Sequence, residues 1–191
     1  MTMSPQRADE ILQAAEVICP AAAVNAAVSR VAGEINAALA DRFPLVIVVL
    51  RGAMVFAGQL LPQLTIPLEL DSVDASRYGD ATRGGELTFR ALPAVDVQGR
   101  TVLLLDDILD EGITLKAIRD KLLSMGAQKI MIAVLADKHT GRAKPLAADF
   151  TGIRLPDRYV FGFGMDIHGC WRNLPAIYAL KPRQQPQPQP E

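Results

Sequence analysis

Aromatic residues are scarce in this chain, and cysteine and histidine scarcer. Phe, Trp and Tyr together make up 5% of 191 residues, beside two cysteines and two histidines. Cys19 and Cys170 are too few for a disulfide framework, and no Cys-x-x-Cys or Cys/His spacing marks a zinc site. His139 and His168 are scattered and read as structural or peripheral. Long hydrophobic runs are missing too. Apolar runs such as Leu45 to Leu50 are far too short to span a bilayer. The N-terminal Met1-Thr-Met-Ser-Pro-Gln-Arg lacks the apolar centre of a signal peptide, so a cytoplasmic location is expected. Neither sign of charge is in excess. A formal net charge of −1 gives no electrostatic case for nucleic acid or anionic membrane as a partner.

What is present is aliphatic. Half of the residues are hydrophobic, and the length suits one domain with a full core. Pro5 to Val17 reads as a short helix. The spacing Val24, Val28, Val31, Ile35, Leu39 predicts an Ala-rich helix over Ala21 to Ala40. Leu45–Leu50 reads as a buried strand, Val55 to Leu61 as a helix, and Leu68–Ser76 and Leu87–Ala91 as strands. Between those two strands, Tyr78 to Glu86 is polar, Gly-rich and without period, as in a loop that closes over a ligand. Further strands are expected at Lys129–Ala136, Phe150–Ile153 and Tyr159–Phe163. Gln184 to Glu191 alternates Gln and Pro and has nothing to bury, so it is expected to be disordered. Strands alternating with helices predict a parallel α/β sheet.

The most informative segment runs from Thr101 to Leu115. An apolar strand, Thr101 to Leu105, is expected to end at Asp106 and Asp107. The acidic loop Asp110-Glu111-Gly112-Ile113-Thr114 follows. A helix then carries Leu115, Ile118 and Leu122 on one face, with Gly126 as its stop. Strand, Gly-containing loop and helix start together make an anion site, because free backbone N–H groups converge there and the helix dipole favours negative charge. Carboxylates beside such a site can hold sugar hydroxyls or a metal ion. The combination suits a phosphorylated sugar. It is neither a P-loop, since Gly-Lys-Ser/Thr is missing, nor a dinucleotide fingerprint, which needs three glycines.

This segment closely resembles the phosphoribosyl pyrophosphate (PRPP) signature of type I phosphoribosyltransferases, and other segments resemble the hypoxanthine-guanine branch. Leu50-Arg51-Gly52 is similar to that branch's pyrophosphate loop, in which the peptide before the basic residue is usually cis. Ser76-Arg77-Tyr78-Gly79 resembles the start of the flexible catalytic loop, with Arg77 inserted between Ser76 and Tyr78. Lys138 stands where a lysine donates to O6 of the purine. The segment from Leu155 to Asp166 resembles the purine-binding stretch. There Tyr159 takes the place of the stacking aromatic, Val160 that of the backbone facing the base, and Asp166 that of a Mg²⁺ carboxylate. Trp171-Arg172-Asn173-Leu174-Pro175 supplies Arg172 for the pyrophosphate, while Ile167-His168-Gly169-Cys170 departs from the family pattern.

The resemblance covers about Leu45 to Leu180 and implies an α/β fold. Its mostly parallel five-stranded sheet would be flanked by helices, with a small hood from the chain ends. One domain over residues 1–183 and a tail over 184–191 are the implied organisation. The implied activity moves phosphoribose from PRPP to a six-oxopurine with Mg²⁺ as cofactor, in a homodimer or homotetramer. Asp106, Asp107 and Asp166 would serve the metal, and Asp110 would act on purine N7. Glu111, Gly112, Ile113, Thr114 and Leu115 would hold the 5′-phosphate. Arg51, Gly52, Ser76, Tyr78 and Arg172 would meet the pyrophosphate. A non-catalytic PRPP sensor would be expected to carry a basic face or a DNA-binding extension. A receiver-like domain would place its acid pair after the first strand rather than past the midpoint. A xanthine-preferring enzyme is the nearer alternative.

Overall fold

In the computed structural model the described residues are 3–77 and 87–181, so the expected lid over 78–86 and the tail over 184–191 lie outside them. The core is a six-stranded sheet in the order β4-β3-β2-β5-β6-β7. Its members are β2 (Leu45–Leu50), β3 (Glu69–Arg77), β4 (Leu87–Ala91), β5 (Thr101–Leu109), β6 (Lys129–His139) and β7 (Phe150–Pro156). Five of these pair in parallel, and β4 joins antiparallel to β3 at the edge, one strand more than expected. The central strands β2, β5 and β6 carry apolar runs without alternation because both of their faces are covered. Val102, Leu103, Leu104 and Leu105 are fully buried, as are Leu45, Val46 and Ile47.

Helix α2 (Ala21–Ala38) buries Val24, Val28, Val31 and Ile35, the stripe read from the sequence. Helix α3 (Met54–Leu60) follows β2, and α4 (Ile113–Ser124) follows β5 with Leu115, Ile118 and Leu122 inward. Gly126 takes a positive φ of 95° just past that helix, the conformation that ends helices at least cost in glycine.

Helix α1 (Pro5–Gln13) starts on Ser4, whose Oγ accepts from the Arg7 N–H at 3.2 Å, with Pro5 at the first position. It stops short of Val17, contrary to expectation. Ala15–Cys19 is strand β1, paired antiparallel with β9 (Ile177–Leu180). β-branched Val17 and Ile18 favour that pairing over another helical turn. With β8 (Val160–Phe161), these make a three-stranded hood from the two chain ends. Ile11, Phe161 and Ile167 form its small core, Phe161 stacks on Tyr178 at 5.7 Å, and Trp171 Nε1 donates to the Ala8 carbonyl at 2.8 Å.

The sheet's connectivity sets the position of the site. From β2 the chain moves one way to β3, and β5 returns to lie on the other side of β2. Ligands bind at such switch points, outside the carboxyl ends of the strands. β5 pairs with β2 only as far as Leu105 opposite Val48, yet stays on β6 as far as Leu109 opposite Asp137. The expected strand end at Leu105 is therefore only the end of pairing with β2. Asp106 and Asp107 sit where a crevice opens beside a strand still held on its other edge.

Candidate active site

The acidic end of β5 serves two clusters at once. Asp106 lines a cavity of about 950 Å³ together with Ile108, Asp110, Glu111, Gly112, Ile113, Thr114, Leu115 and Lys138. That cavity unites the acid, the phosphate loop and the purine lysine read from the sequence. Asp157, from the purine-binding resemblance, lines it as well, as do Thr140, Arg142, Lys144 and Pro145, to which the sequence reading gave no role. Gly112 precedes α4 at φ 77°, a conformation glycine takes readily. A side chain there would also press on Pro145, whose Cδ lies 3.3 Å from the position of a Cβ. The amides after it open the helix and are free for an anion.

Across the cavity, Lys138 Nζ lies 2.7 Å from Asp110 Oδ2 and 4.0 Å from Asp157 Oδ1. The lysine side chain is 12% exposed and that of Asp110 45%. The rim thus presents a donor and an acceptor side by side.

The Asp107 carboxylate rests on Gly52, where a Cβ would stand 2.1 Å from Oδ2. On Gly52's other side, a Cβ at Gly164 would meet the Gly52 carbonyl at 2.1 Å. Two glycines therefore let the β2–α3 loop pass between Asp107 and the segment after β8. The Leu50–Arg51 peptide in that loop is cis, as the resemblance implied, and Arg51 is exposed.

Arg172 closes this side. It donates to the Gly164 carbonyl at 2.6 Å and pairs with Asp166 at 2.5 Å. The departing segment has a defined local purpose. Ile167 and Cys170 exchange backbone hydrogen bonds around His168 (φ 51°) and Gly169 (φ 83°), a two-residue turn with both φ positive. The Gly169 N–H also donates to Asp166 Oδ2 at 2.7 Å, so the turn and Arg172 fix that carboxylate between them. Tyr159 is 57% exposed, leaving a ring face open, and Val160 is buried. Ser76 is the penultimate residue of β3, and Tyr78 lies outside the described residues.

The electrostatics single out the acid pair. Burial, and next the charge of Asp107, push the Asp106 carboxyl well above the ordinary carboxylate range, against a hydrogen bond from the Asp107 N–H at 3.0 Å. Burial also raises Asp107, opposed by its hydrogen bond with Asp106 and by the nearby Arg172. No cluster of three His, Cys, Asp or Glu residues suited by itself to a metal occurs among the described residues. The Asp106 and Asp107 carboxyls lie close enough to hydrogen-bond each other, and Asp166 is engaged by Arg172 and Gly169.

A parallel sheet whose strand–loop–helix junction opens a helix start beside a pair of acids has the arrangement of a protein that handles a phosphorylated ligand. Residues 18–168 match the phosphoribosyl transferase domain, and the chain belongs to that family. The chain is 38% identical to the hypoxanthine-guanine phosphoribosyltransferase of Bacillus subtilis, over 81% of this chain and 87% of that one. Among solved structures, a hypoxanthine phosphoribosyltransferase from Staphylococcus aureus superposes with a TM-score of 0.82 at 28% identity, over 87% of this chain and 91% of that one. A hypoxanthine-guanine-xanthine phosphoribosyltransferase superposes with a TM-score of 0.79 at 30% identity, over 87% and 97%. No helix among the described residues is long and apolar enough to cross a membrane.

Proposed function

We propose that this chain transfers the phosphoribosyl group of PRPP to N9 of hypoxanthine or guanine, releasing IMP or GMP and pyrophosphate. The observation that carries the choice of base is the pair Asp110 and Lys138, 2.7 Å apart at the rim of the phosphate cavity. A six-oxopurine protonated at N7 presents N7–H as a donor beside O6 as an acceptor. A carboxylate next to an ammonium is the complement of that edge.

Asp110 accepts the N7 proton as N9 attacks C1 of the ribose, and Lys138 donates to O6. The open face of Tyr159 stacks on the base, and the Val160 backbone faces its remaining edge. The amides from Glu111 to Leu115, with the Thr114 hydroxyl, hold the 5′-phosphate and so set the place of C1. Asp106 and Asp107 hold the ribose hydroxyls. Arg51 and Arg172, with the Gly52 backbone, Ser76 and Tyr78, stabilise the charge that builds on the departing pyrophosphate. Asp166 keeps Arg172 aimed.

Mg²⁺ fits this donor set. It takes one or two carboxylates, keeps waters and completes its shell with substrate phosphates, so a three-carboxylate cage is not required. Two adjacent acids, both raised chiefly by burial, also favour a cation beside them. Asp106 or Asp107 would hold the ion, which when bound neutralises charge on the pyrophosphate. One catalytic domain over residues 1–183, cytoplasmic and assembled as a homodimer or homotetramer, belongs to the same proposal and rests on family membership. Incubating the protein with hypoxanthine, PRPP and Mg²⁺ tests the reaction. IMP and pyrophosphate should appear in equal amounts, and the absence of both would overturn it.

A further inference from the structure

Lys144 lies on the loop between β6 and β7, and its side chain is only 14% exposed. An ammonium has three N–H donors. Each finds an acceptor: the Leu109 carbonyl at 2.7 Å, the Lys138 carbonyl at 2.6 Å and Asp137 Oδ1 at 2.5 Å. The two carbonyls matter for where they are. Leu109 is the last residue of β5 and precedes Asp110, while Lys138 stands near the end of β6. Leu109 and Asp137 are also the last pair in register, beyond which the two strands part. Lys144 thus bridges the strands where their own hydrogen bonds run out. The next residue, Pro145, touches the phosphate loop at Gly112.

We propose that Lys144 is a positioning residue for the transfer reaction, an inference that rests on the function proposed above. Its ammonium fixes the main chain beneath Asp110 and Lys138 and so holds their side chains at the spacing of purine N7 and O6. Although Lys144 lines the cavity, its three N–H donors are taken by protein acceptors and not offered to a substrate. Removing it leaves two carbonyls and a carboxylate without a buried partner and frees both strand ends to spread. Misplacing catalytic groups by about 1 Å can cost on the order of 10²-fold in rate.

The test uses the full chain as Lys144→Met and Lys144→Arg, each alone and combined with Asp110→Asn. Arginine keeps the charge, but its planar fork does not match three diverging acceptors. Both single variants should lose about tenfold to 10²-fold in kcat while the KM for PRPP stays within about threefold. Added to Asp110→Asn, either should cost less than about threefold more, because it acts through that residue. Near-normal kcat in a folded variant would overturn the proposal. So would a loss of equal factor in both backgrounds, or failure of both variants to fold, which would make Lys144 purely structural. Inactivity of the unmodified protein would instead refute the proposed function. Amide exchange then decides the clasp by itself: Lys144→Met should speed exchange over residues 109–114 and 138–140 and leave the core strands unchanged. No local change would refute it.

Discussion

Asp110 and Lys138 stand 28 residues apart in sequence and 2.7 Å apart in space, brought together by the parallel pairing of β5 with β6. The pair gives the site its asymmetry, since one member can only accept and the other only donate when both are charged. Asp110→Asn should therefore leave PRPP binding largely intact and slow turnover by about 10²–10⁴-fold. Calorimetric PRPP titration beside steady-state kinetics checks both halves. Near-normal turnover would reduce Asp110 to a partner of Lys138.

Removal of divalent cation should abolish turnover, because the acids at 106 and 107 would face a pyrophosphate without neutralisation. Activity in excess chelator, then on restoring Mg²⁺, is the measurement. Undiminished turnover in chelator would contradict the cation's place at these acids.

The acid pair also predicts a conflict between stability and function. Asp106 has a folded pKa raised above its unfolded value, chiefly by burial and then by Asp107. The sign follows from proton binding: between the two pKa values the folded state holds more protons than the unfolded one, so stability falls as pH rises through that window. Asp106→Asn should make the ligand-free protein more stable at neutral pH, by about 0.5–2 kcal/mol, and flatten this dependence. It should also weaken PRPP binding. Thermal melts from acid to neutral pH test it, and a destabilised variant would be the contrary result.

Gly52 is expected to tolerate no side chain. A Cβ there would overlap Asp107 Oδ2, and the Gly52 carbonyl is backed by Gly164. Gly52→Ala should cost about 1–3 kcal/mol through overpacking and displace Asp107, so activity should fall with stability. Circular-dichroism melts and kinetics on the same sample would show whether the two move together.

Local chemistry made much of this legible. Leu45–Leu50 and Leu87–Ala91 matched their strands because apolar or β-favouring runs were bounded by breakers. The strand–loop–helix junction was legible because Gly112 stands between an apolar run and a helical stripe. Elements fixed by distant partners were not. Val17 is a strand residue only because β9 pairs with it, from the far end of the chain. β5 runs on to Leu109 because β6 holds its edge. Lys144 left no signal, since its carbonyl acceptor at Leu109 is 35 residues away and nothing in Ala143-Lys144-Pro145 points to it.

The central claim is that the Asp110–Lys138 pair reads a six-oxopurine, and kcat/KM for hypoxanthine, guanine, xanthine and adenine under one set of conditions tests it most directly. A site built to pair O6 rejects a base carrying a donor at that position by up to about 10⁴-fold or more. Hypoxanthine and guanine should be used well, xanthine weakly or not at all, and adenine essentially not. Lys138→Met should narrow that gap while damaging six-oxopurine turnover. Efficient use of adenine by the unmodified protein would contradict the role of Lys138 and the reaction assigned to the site.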